Sequence, residues 1–240
     1  TLKLSIEGGT GSSTNELAQL AQSESLAPEL RADAWTVLAL HQAAKGKYVK
    51  SVHAFEKAEF HIRDPKDRAA VRIQRAKSLV AANQLEPAGQ LLRDQIGVLG
   101  DDDNIGRGLL MLGETYAATN SFELSVKTYR EFLEFFTNPG QREQAHIGLA
   151  WSLILQEQFD ESALLFEKLS TDAGEAEHRK QATYKLADAW FGAEKFEKAR
   201  KQYSRFLKSY PGDDLLPQAM YQEALCATRI GSTDEAVDAF

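Results

Sequence analysis

The segment Gly46–Ala58 has the sequence Gly-Lys-Tyr-Val-Lys-Ser-Val-His-Ala-Phe-Glu-Lys-Ala, and its pattern of residue types recurs along the chain. A turn residue is followed by an aromatic residue two positions later, a small residue three further on, a second aromatic residue after four more and an apolar residue after another three. The pattern returns five times, and its turn residues are Gly46, Asn83, Asn120, Glu157, Glu194 and Gly231. Each turn residue lies 37 positions after the one before. Such regular self-similarity predicts a repeat array.

A second helical pattern lies upstream of each turn. Apolar and small residues recur there at helical spacing, as in Trp35, Leu38 and Ala39. Residues at i, i+3, i+4 and i+7 form one face of a helix, so each unit is predicted to be a helical hairpin. A hairpin cannot bury both its faces alone, and neighbouring hairpins are therefore expected to stack into a continuous core.

Small residues recur where the helices are expected to approach closely. They are Gly113, Ala150, Ala187 and Ala224 in the first helices, and Ser51, Ala88, Ser125, Ser162, Ala199 and Ala236 in the second helices.

Composition supports an all-α class and argues against several kinds of site. The chain has only six prolines in 240 residues, and its abundant Ala, Leu, Glu, Lys, Gln and Arg favour helix over strand. The net charge of -7 opposes attraction to phosphates, so we expect no nucleic-acid partner. Cys226 is the only cysteine, which rules out an intrachain disulfide and a zinc cluster. No apolar run approaches the roughly 20 residues that a membrane-spanning helix needs.

At these positions the sequence resembles the tetratricopeptide repeat (TPR) family. Leu112–Tyr116 reads Leu-Gly-Glu-Thr-Tyr, and the segment from Phe196 to Phe206, with the later Tyr210-Pro211, is similar to the family's second helix and closing proline. The resemblance covers residues 29–240. It implies a right-handed superhelical solenoid of stacked antiparallel helix pairs that acts as a protein-binding scaffold.

The sequence departs from the family pattern in two ways. Arg72, Arg75 and Gln95 stand where the second unit would carry apolar residues. The period is 37 instead of about 34 residues, which looks like the TPR subgroup of the bacterial cell envelope.

The sequence divides into three segments. Residues 1–14 are predicted to be a flexible N-terminal segment, with strand-like alternation at Leu2, Leu4 and Ile6 and a Gly- and Ser-rich linker after it. Residues 15–28 are predicted to form a capping helix, and residues 29–240 an array of about six helix pairs, the last one truncated. The chain begins at Thr1 and ends inside a helical pattern, so we interpret it as part of a longer protein whose localisation, cell envelope or cytoplasm, stays open.

No motif indicates catalysis, a cofactor or a metal. The glycine-rich segment at residues 8–14 lacks the lysine of a phosphate-binding loop. The five histidines lack metal-ligand spacing. Carboxylate pairs such as Asp160-Glu161 stand at predicted helix starts, where they favour the positive end of the helix dipole. We therefore expect a non-enzymatic protein.

Partner-binding residues are predicted on a second stripe of the first helices. Ile147, Trp151 and Ile154 lie at i, i+4 and i+7, and the stripe recurs in the next two units. In the resembled family this face lines the concave groove that binds peptides. Trp and Tyr concentrate at binding hot spots, whereas the aliphatic members fit packing between helices equally well. The predicted partner-binding residues are Trp151, Tyr184, Asp188, Phe191, Tyr221 and Leu225, with Asp188 offering a carboxylate to a basic or amide group.

Three functions remain open at this level. The first is a scaffold that binds a peptide or partner protein on the concave face. The second is a structural subunit of a cell-envelope assembly, with possible self-association. The third is the repeat region of a larger enzyme or regulator. The family's clamp for a chaperone carboxylate is not expected, because only Lys77 of the matching places carries a suitable residue.

Overall fold

The computed structural model describes residues 11–231, and their side chains from residue 15 onward. This part of the chain contains twelve α-helices and no strand, which confirms the all-α class. The helices are α1 (Gly11–Gln22), α2 (Pro28–Ala44), α3 (Tyr48–His61), α4 (Pro65–Ala81), α5 (Leu85–Leu99), α6 (Asp103–Ala118), α7 (Phe122–Phe135), α8 (Pro139–Leu155), α9 (Phe159–Asp172), α10 (Ala176–Gly192), α11 (Phe196–Ser209) and α12 (Leu216–Ile230).

The helices form two compact units that divide between Leu112 and Gly113. In the first unit, α2 packs against α3, α3 against α4 and α4 against α5. In the second unit the same order of contacts runs from α7 to α12, and α10 also contacts α8. Consecutive helices therefore pack as neighbours, as predicted for stacked hairpins. The handedness of a superhelix stays an expectation from the resemblance.

The N-terminal helix differs from its predicted bounds. α1 begins at Gly11 and ends at Gln22, so residues 11–14 belong to a helix and not to a linker. Ala21 is fully buried in a cluster with Trp35 of α2 and Phe55 of α3. This packing stabilises a helix that Gly and Ser alone would not favour. Residues 1–10, with the predicted strand, and residues 232–240, with the last predicted second helix, lie outside the described part.

Each first helix ends at a residue in the left-handed conformation. The φ angles are +70° at Gly46, +86° at Gly231 and 58° to 61° at the four turn residues between them, which are Asn83, Asn120, Glu157 and Glu194. These are the six turn residues that define the repeat. The N–H of Glu157 donates to the Ile154 carbonyl at 2.9 Å, and the N–H of Gln158 donates to the Leu153 carbonyl at 2.8 Å. This is the Schellman arrangement, which satisfies the last carbonyls of a helix.

We expect Glu157→Gly and Glu194→Gly to raise the free energy of unfolding by about 0.5 to 1 kcal/mol each. A residue with a Cβ is strained in the left-handed conformation, and glycine removes that strain from the folded state. The gain is larger than the stabilisation of the unfolded chain by the flexibility of glycine. Denaturant titration followed by circular dichroism measures the effect. Glu157→Ala is the matched control, because it removes the charge but keeps the Cβ, and it should give no gain. An equal gain in the Ala variant would mean that charge, and not backbone strain, limits this turn.

The polar residues that replace apolar ones in the second repeat form hydrogen bonds and ion pairs. Arg72 Nε donates to Glu59 Oε2 at 3.1 Å. Arg75 bridges Glu59 and Glu56 at 3.1 and 2.8 Å. Gln95 is fully buried, and its Nε2 donates to the Leu91 carbonyl at 2.7 Å. Ion pairs between α3 and α4 therefore replace part of the apolar contact that other repeats use.

Two of the small residues of the second helices also form hydrogen bonds to the first helix of their own hairpin. The hydroxyl of Ser125 donates to the Gly113 carbonyl at 2.8 Å, and that of Ser162 donates to the Ala150 carbonyl at 2.7 Å. Both bonds span 12 residues and join the two helices of one hairpin. Ser51 is the equivalent residue two repeats before Ser125. It is fully buried, and its Oγ lies 3.0 Å from Ser78 Oγ. Serine therefore permits close approach and also satisfies a buried polar group.

The Tyr129 ring is held between two glycines of neighbouring first helices. A Cβ added to Gly113 would lie 2.8 Å from Tyr129 Cζ, and one added to Gly148 would lie 2.2 Å from the same atom. The ring itself is almost completely buried. The predicted close approach at Gly113 therefore has a specific cause, and Gly148 is a second such position that the repeat pattern did not reveal.

We expect Gly148→Ala to lower the free energy of unfolding by about 1 to 3 kcal/mol, because the new methyl group overpacks a buried ring. An exposed helical glycine behaves in the opposite way, since alanine is the better helix former by up to about 1 kcal/mol. Gly97 in α5 has no heavy atom within 4 Å of an added Cβ and supplies that control. Denaturant titrations of Gly148→Ala and Gly97→Ala should shift in opposite directions. A stabilised Gly148→Ala variant would contradict the packing of Tyr129.

Candidate protein-binding groove

A groove of about 440 Å³ lies on the first helices of the second unit. Ten of its eleven lining residues come from α6, α8 and α10, and the eleventh, Tyr129, comes from α7. The lining residues are Glu114, Ala117, Ala118, Tyr129, Gln144, Ile147, Gly148, Trp151, Ser152, His178 and Gln181. Two residues of the second stripe, Ile147 and Trp151, are among them.

Trp151 is the large exposed aromatic residue of this groove, with 38% of its surface accessible. Lys185 Nζ lies 4.4 Å from the centroid of its ring, within the range of a cation–π contact. This contact orients the indole at the side of the groove. Ile147 lines the groove beside it and also packs against the core, whereas Ile154 packs against the core without lining the groove.

Glu114 is the carboxylate that lines the groove. Among the described residues it has no ion-pair partner within 4 Å, and partial burial raises the pKa of its carboxyl group above the usual value. Burial also raises the pKa of the neighbouring Tyr129, and the negative charge of Glu114 adds to that effect. A cation or an amide donor in the groove would compensate this carboxylate.

His178 lies at another edge of the groove, where Glu143 of α8 fixes its orientation. Burial alone would raise the pKa of Glu143, but hydrogen bonds from His178 and from the backbone N–H groups of Gly174 and Glu175 hold the pKa below its usual value. The Gly174 bond is 2.7 Å long. These contacts join α8 to the start of α10, so they stabilise the groove as well as position the imidazole.

Tyr184 lies in the core and not on an open surface, which corrects its prediction as a ligand contact. Only 8% of the residue is exposed. Its ring meets Tyr203 and Phe206 of α11 edge to face, at centroid distances of 5.8 and 5.3 Å. The aromatic side chains of α11 are large enough to cover Tyr184, and this covering depends on residues that lie about 20 positions further along the chain.

Asp188 also differs from its prediction, because both its oxygens already have partners. Oδ1 accepts a hydrogen bond from the Tyr203 hydroxyl at 2.6 Å, and Oδ2 contacts Lys185 Nζ at 2.9 Å. Burial raises the pKa of Tyr203, and the Asp188 charge raises it further. Asp188 therefore holds Lys185 beside Trp151 and ties α10 to α11, instead of offering a free carboxylate to a ligand.

The remaining predicted residues lie outside the groove. Phe191 is half-buried and meets Phe196 edge to face at 5.4 Å. Leu225 is half-buried on α12, and Tyr221 on the same helix is 55% exposed. The structure therefore brings together Trp151 and Ile147, while Tyr221 forms a separate exposed aromatic position.

Sequence reasoning missed the polar lining of the groove, although the repeat register contains the signal for it. Glu114 lies 37 residues before Trp151, so the two occupy the same position in successive repeats. Gln144 and Gln181 are related in the same way. Glu114 is one of the places compared with the chaperone clamp, so the sequence assigns it to this face, and the structure adds that it lines the groove.

The described residues contain neither a membrane-spanning helix nor a cluster of metal ligands. None of the helices between residues 11 and 231 is long and apolar enough to cross a membrane. Within the same range, no three or more His, Cys, Asp or Glu side chains lie together as a metal site would require.

Comparison with known proteins supports the fold. A TPR protein from Parabacteroides merdae ATCC 43184 superposes with a TM-score of 0.60 and 12% identity, over 87% of this chain and 77% of that one. MamA from Desulfovibrio magneticus RS-1 gives 0.56 and 16%, over 72% and 90%. YrrB, described as a TPR protein with an unusual peptide-binding site, gives 0.55 and 15%, over 78% and 90%. These identities show the fold alone.

Comparison with curated proteins finds no match. The tetratricopeptide repeat family model matches residues 147–214 and 184–240, and the two matches together contain the groove residues Ile147, Trp151, His178 and Gln181. Residues 147–240 therefore match the tetratricopeptide repeat family, and the described chain has the helical-hairpin fold of TPR proteins.

Proposed function

We propose that this chain is a non-catalytic scaffold that binds a peptide, or an extended segment of a partner protein, along the face formed by α6, α8 and α10. The observation that carries the proposal is the groove of about 440 Å³ with the exposed Trp151 at its side. Protein binding is typical of TPR proteins, and YrrB, which shares the fold, is described by its peptide-binding site. An exposed tryptophan beside a groove is the kind of residue that contributes most to binding.

The groove offers both apolar and polar contacts to an extended chain. Trp151, Ile147 and Ala117 supply apolar surface, and Gln144 and Gln181 supply amides that can donate to and accept from a peptide backbone. The two amides repeat from one first helix to the next. Packed helices lie about 8 to 10 Å apart, which matches roughly three residues of extended peptide. Glu114 favours a ligand that brings a basic or amide group to the same surface.

A role in a larger assembly is a second candidate, and exposed apolar residues on the second helices support it. Leu164 of α9 is 64% exposed, and Phe60 of α3 is 85% exposed. Neither residue lines the groove. These side chains fit contacts to another protein or to a second copy of this chain, and the 37-residue period makes a cell-envelope assembly the corresponding prediction.

We expect Trp151→Ala to weaken peptide binding by about 1 to 3 kcal/mol, as the truncation of a central aromatic residue does. The free energy of unfolding should fall by less than the truncation of a fully buried ring would cost, because 38% of Trp151 is accessible. Peptides of 12 residues are selected from a displayed library on the parent protein, and calorimetry then gives their affinities for parent and variant. Peptides that bind both proteins equally well would exclude this groove.

Tyr221→Ala is the matched variant, because it truncates an exposed aromatic residue of a first helix outside the groove. If the binding surface centres on α6, α8 and α10, the selected peptides should bind this variant nearly as tightly as they bind the parent. A loss similar to that of Trp151→Ala would extend the binding surface to α12.

A further inference from the structure

Helix α11 carries a strong positive charge in a chain that is acidic as a whole. Its sequence contains five basic residues and one acidic residue, which gives a net charge of +4, whereas the whole chain has a net charge of -7. Four of the basic residues, Lys198, Lys201, Arg205 and Lys208, are exposed and spaced by three, four and three positions. This spacing aligns them on one side of a helix over about 15 Å. We call these four residues the basic stripe.

The basic stripe has little charge compensation within the described residues. Lys198 Nζ lies 4.3 Å from the centroid of the Trp190 ring, and this cation–π contact brings no negative charge to the lysine. No carboxylate between residues 11 and 231 forms an ion pair with Lys201, Arg205 or Lys208. Some lysines elsewhere in the same unit do have carboxylate partners, since Lys180 pairs with Asp213 at 2.7 Å and Lys185 with Asp188 at 2.9 Å.

The repeat fold does not require basic residues at these positions. The stripe lies opposite the buried side of α11, which consists of Ala199, Tyr203 and Phe206. The four equivalent positions of α9 carry Glu, Leu, Lys and Thr, and those of α7 carry Leu, Lys, Glu and Glu. All three helices are 14 residues long and begin at equivalent phenylalanines. The charge of α11 is therefore a local property of this surface.

We propose that the basic stripe is a docking surface for an acidic segment of a partner protein, in which carboxylates repeat at three- and four-residue spacing along a helix. Such a segment places its charges 4.5 to 6 Å apart, at about the same intervals as the stripe. Complementary charge of this kind determines which partner binds and how fast it associates. The surface is independent of the groove, because it lies on a second helix and the groove lies on first helices.

The size and surroundings of the stripe favour a compact partner over an extended polyanion. Proteins that bind nucleic acid firmly contact about six to ten phosphates, and the stripe offers four cations. The preceding second helix, α9, has four acidic residues and one basic residue, and its Asp160 pairs with Lys195 at the start of α11. A nucleic acid strand or a flat anionic membrane that extends beyond the stripe would meet this negative charge.

The test uses a labelled, end-capped alanine-based helical peptide of 14 residues with four glutamates at three-, four- and three-residue spacing, and the same peptide with glutamines. Fluorescence anisotropy at about 50 mM salt, where screening is weak, measures binding. We expect the parent to bind the glutamate peptide and not the glutamine peptide. Lys201→Glu/Arg205→Glu should weaken binding by about tenfold or more, because attraction becomes repulsion.

The matched control is Lys127→Glu/Lys168→Glu, which makes the same charge change at the equivalent positions of α7 and α9. This variant should lose much less affinity than Lys201→Glu/Arg205→Glu, because its altered charges do not contact the peptide and Coulomb attraction falls with distance. Equal losses in the two variants would overturn the proposal, because only the total charge would then matter. Circular dichroism melts check that both variants remain folded.

Two further probes address the other classes of partner. They are a single-stranded DNA of about 20 nucleotides and phosphatidylcholine vesicles with about 30% phosphatidylserine. Both should bind the parent more weakly than the glutamate peptide does. Tighter binding of either probe that is lost in Lys201→Glu/Arg205→Glu would assign the stripe to that partner and overturn the proposal, as would a glutamate peptide that does not bind.

Discussion

A left-handed turn follows each first helix of the described residues and sets the angle at which the second helix returns. It reverses the chain within three residues and satisfies the last carbonyls of the helix through the N–H groups that follow. The second helix then returns against the first, and the hydroxyls of Ser125 and Ser162 reach backbone carbonyls of the partner helix. Because the turn occupies the same place in every repeat, the two helices of each hairpin pack in the same register.

Aromatic rings that pack closely against glycines also fix the positions of the helices. Tyr129 lies between Gly113 and Gly148, and Phe159 lies against Gly192, where an added Cβ would approach to 2.4 Å. These contacts are possible because glycine removes the side chain at the point of contact. The Tyr129 ring also forms part of the groove floor, so the packing that holds two first helices at their distance shapes the candidate binding surface as well.

One position of the first helix shows how the same register leads to different roles. Glu114, Trp151, Asp188 and Leu225 are equivalent residues of successive repeats. Glu114 and Trp151 line the groove, Asp188 binds Tyr203 and Lys185, and Leu225 is half-buried on α12. The register assigns these side chains to one face, but the neighbours supplied by other helices decide whether each one is open to a ligand.

The helical class, the 37-residue repeat, the six turn residues and most of the small residues at close contacts could be predicted from the sequence. These features depend on periodicity and on local conformational preference, both of which are visible along the chain. The three-dimensional packing was needed to show that Tyr184 is covered by Tyr203 and Phe206 and that both Asp188 oxygens have partners. It was also needed to show that the basic stripe of α11 lacks carboxylate partners within the described residues. Exposure and charge pairing depend largely on the volume and position of side chains 15 or more residues away, such as Tyr203 for Asp188 and Phe206 for Tyr184. Periodicity assigns a face to a residue without saying what covers it.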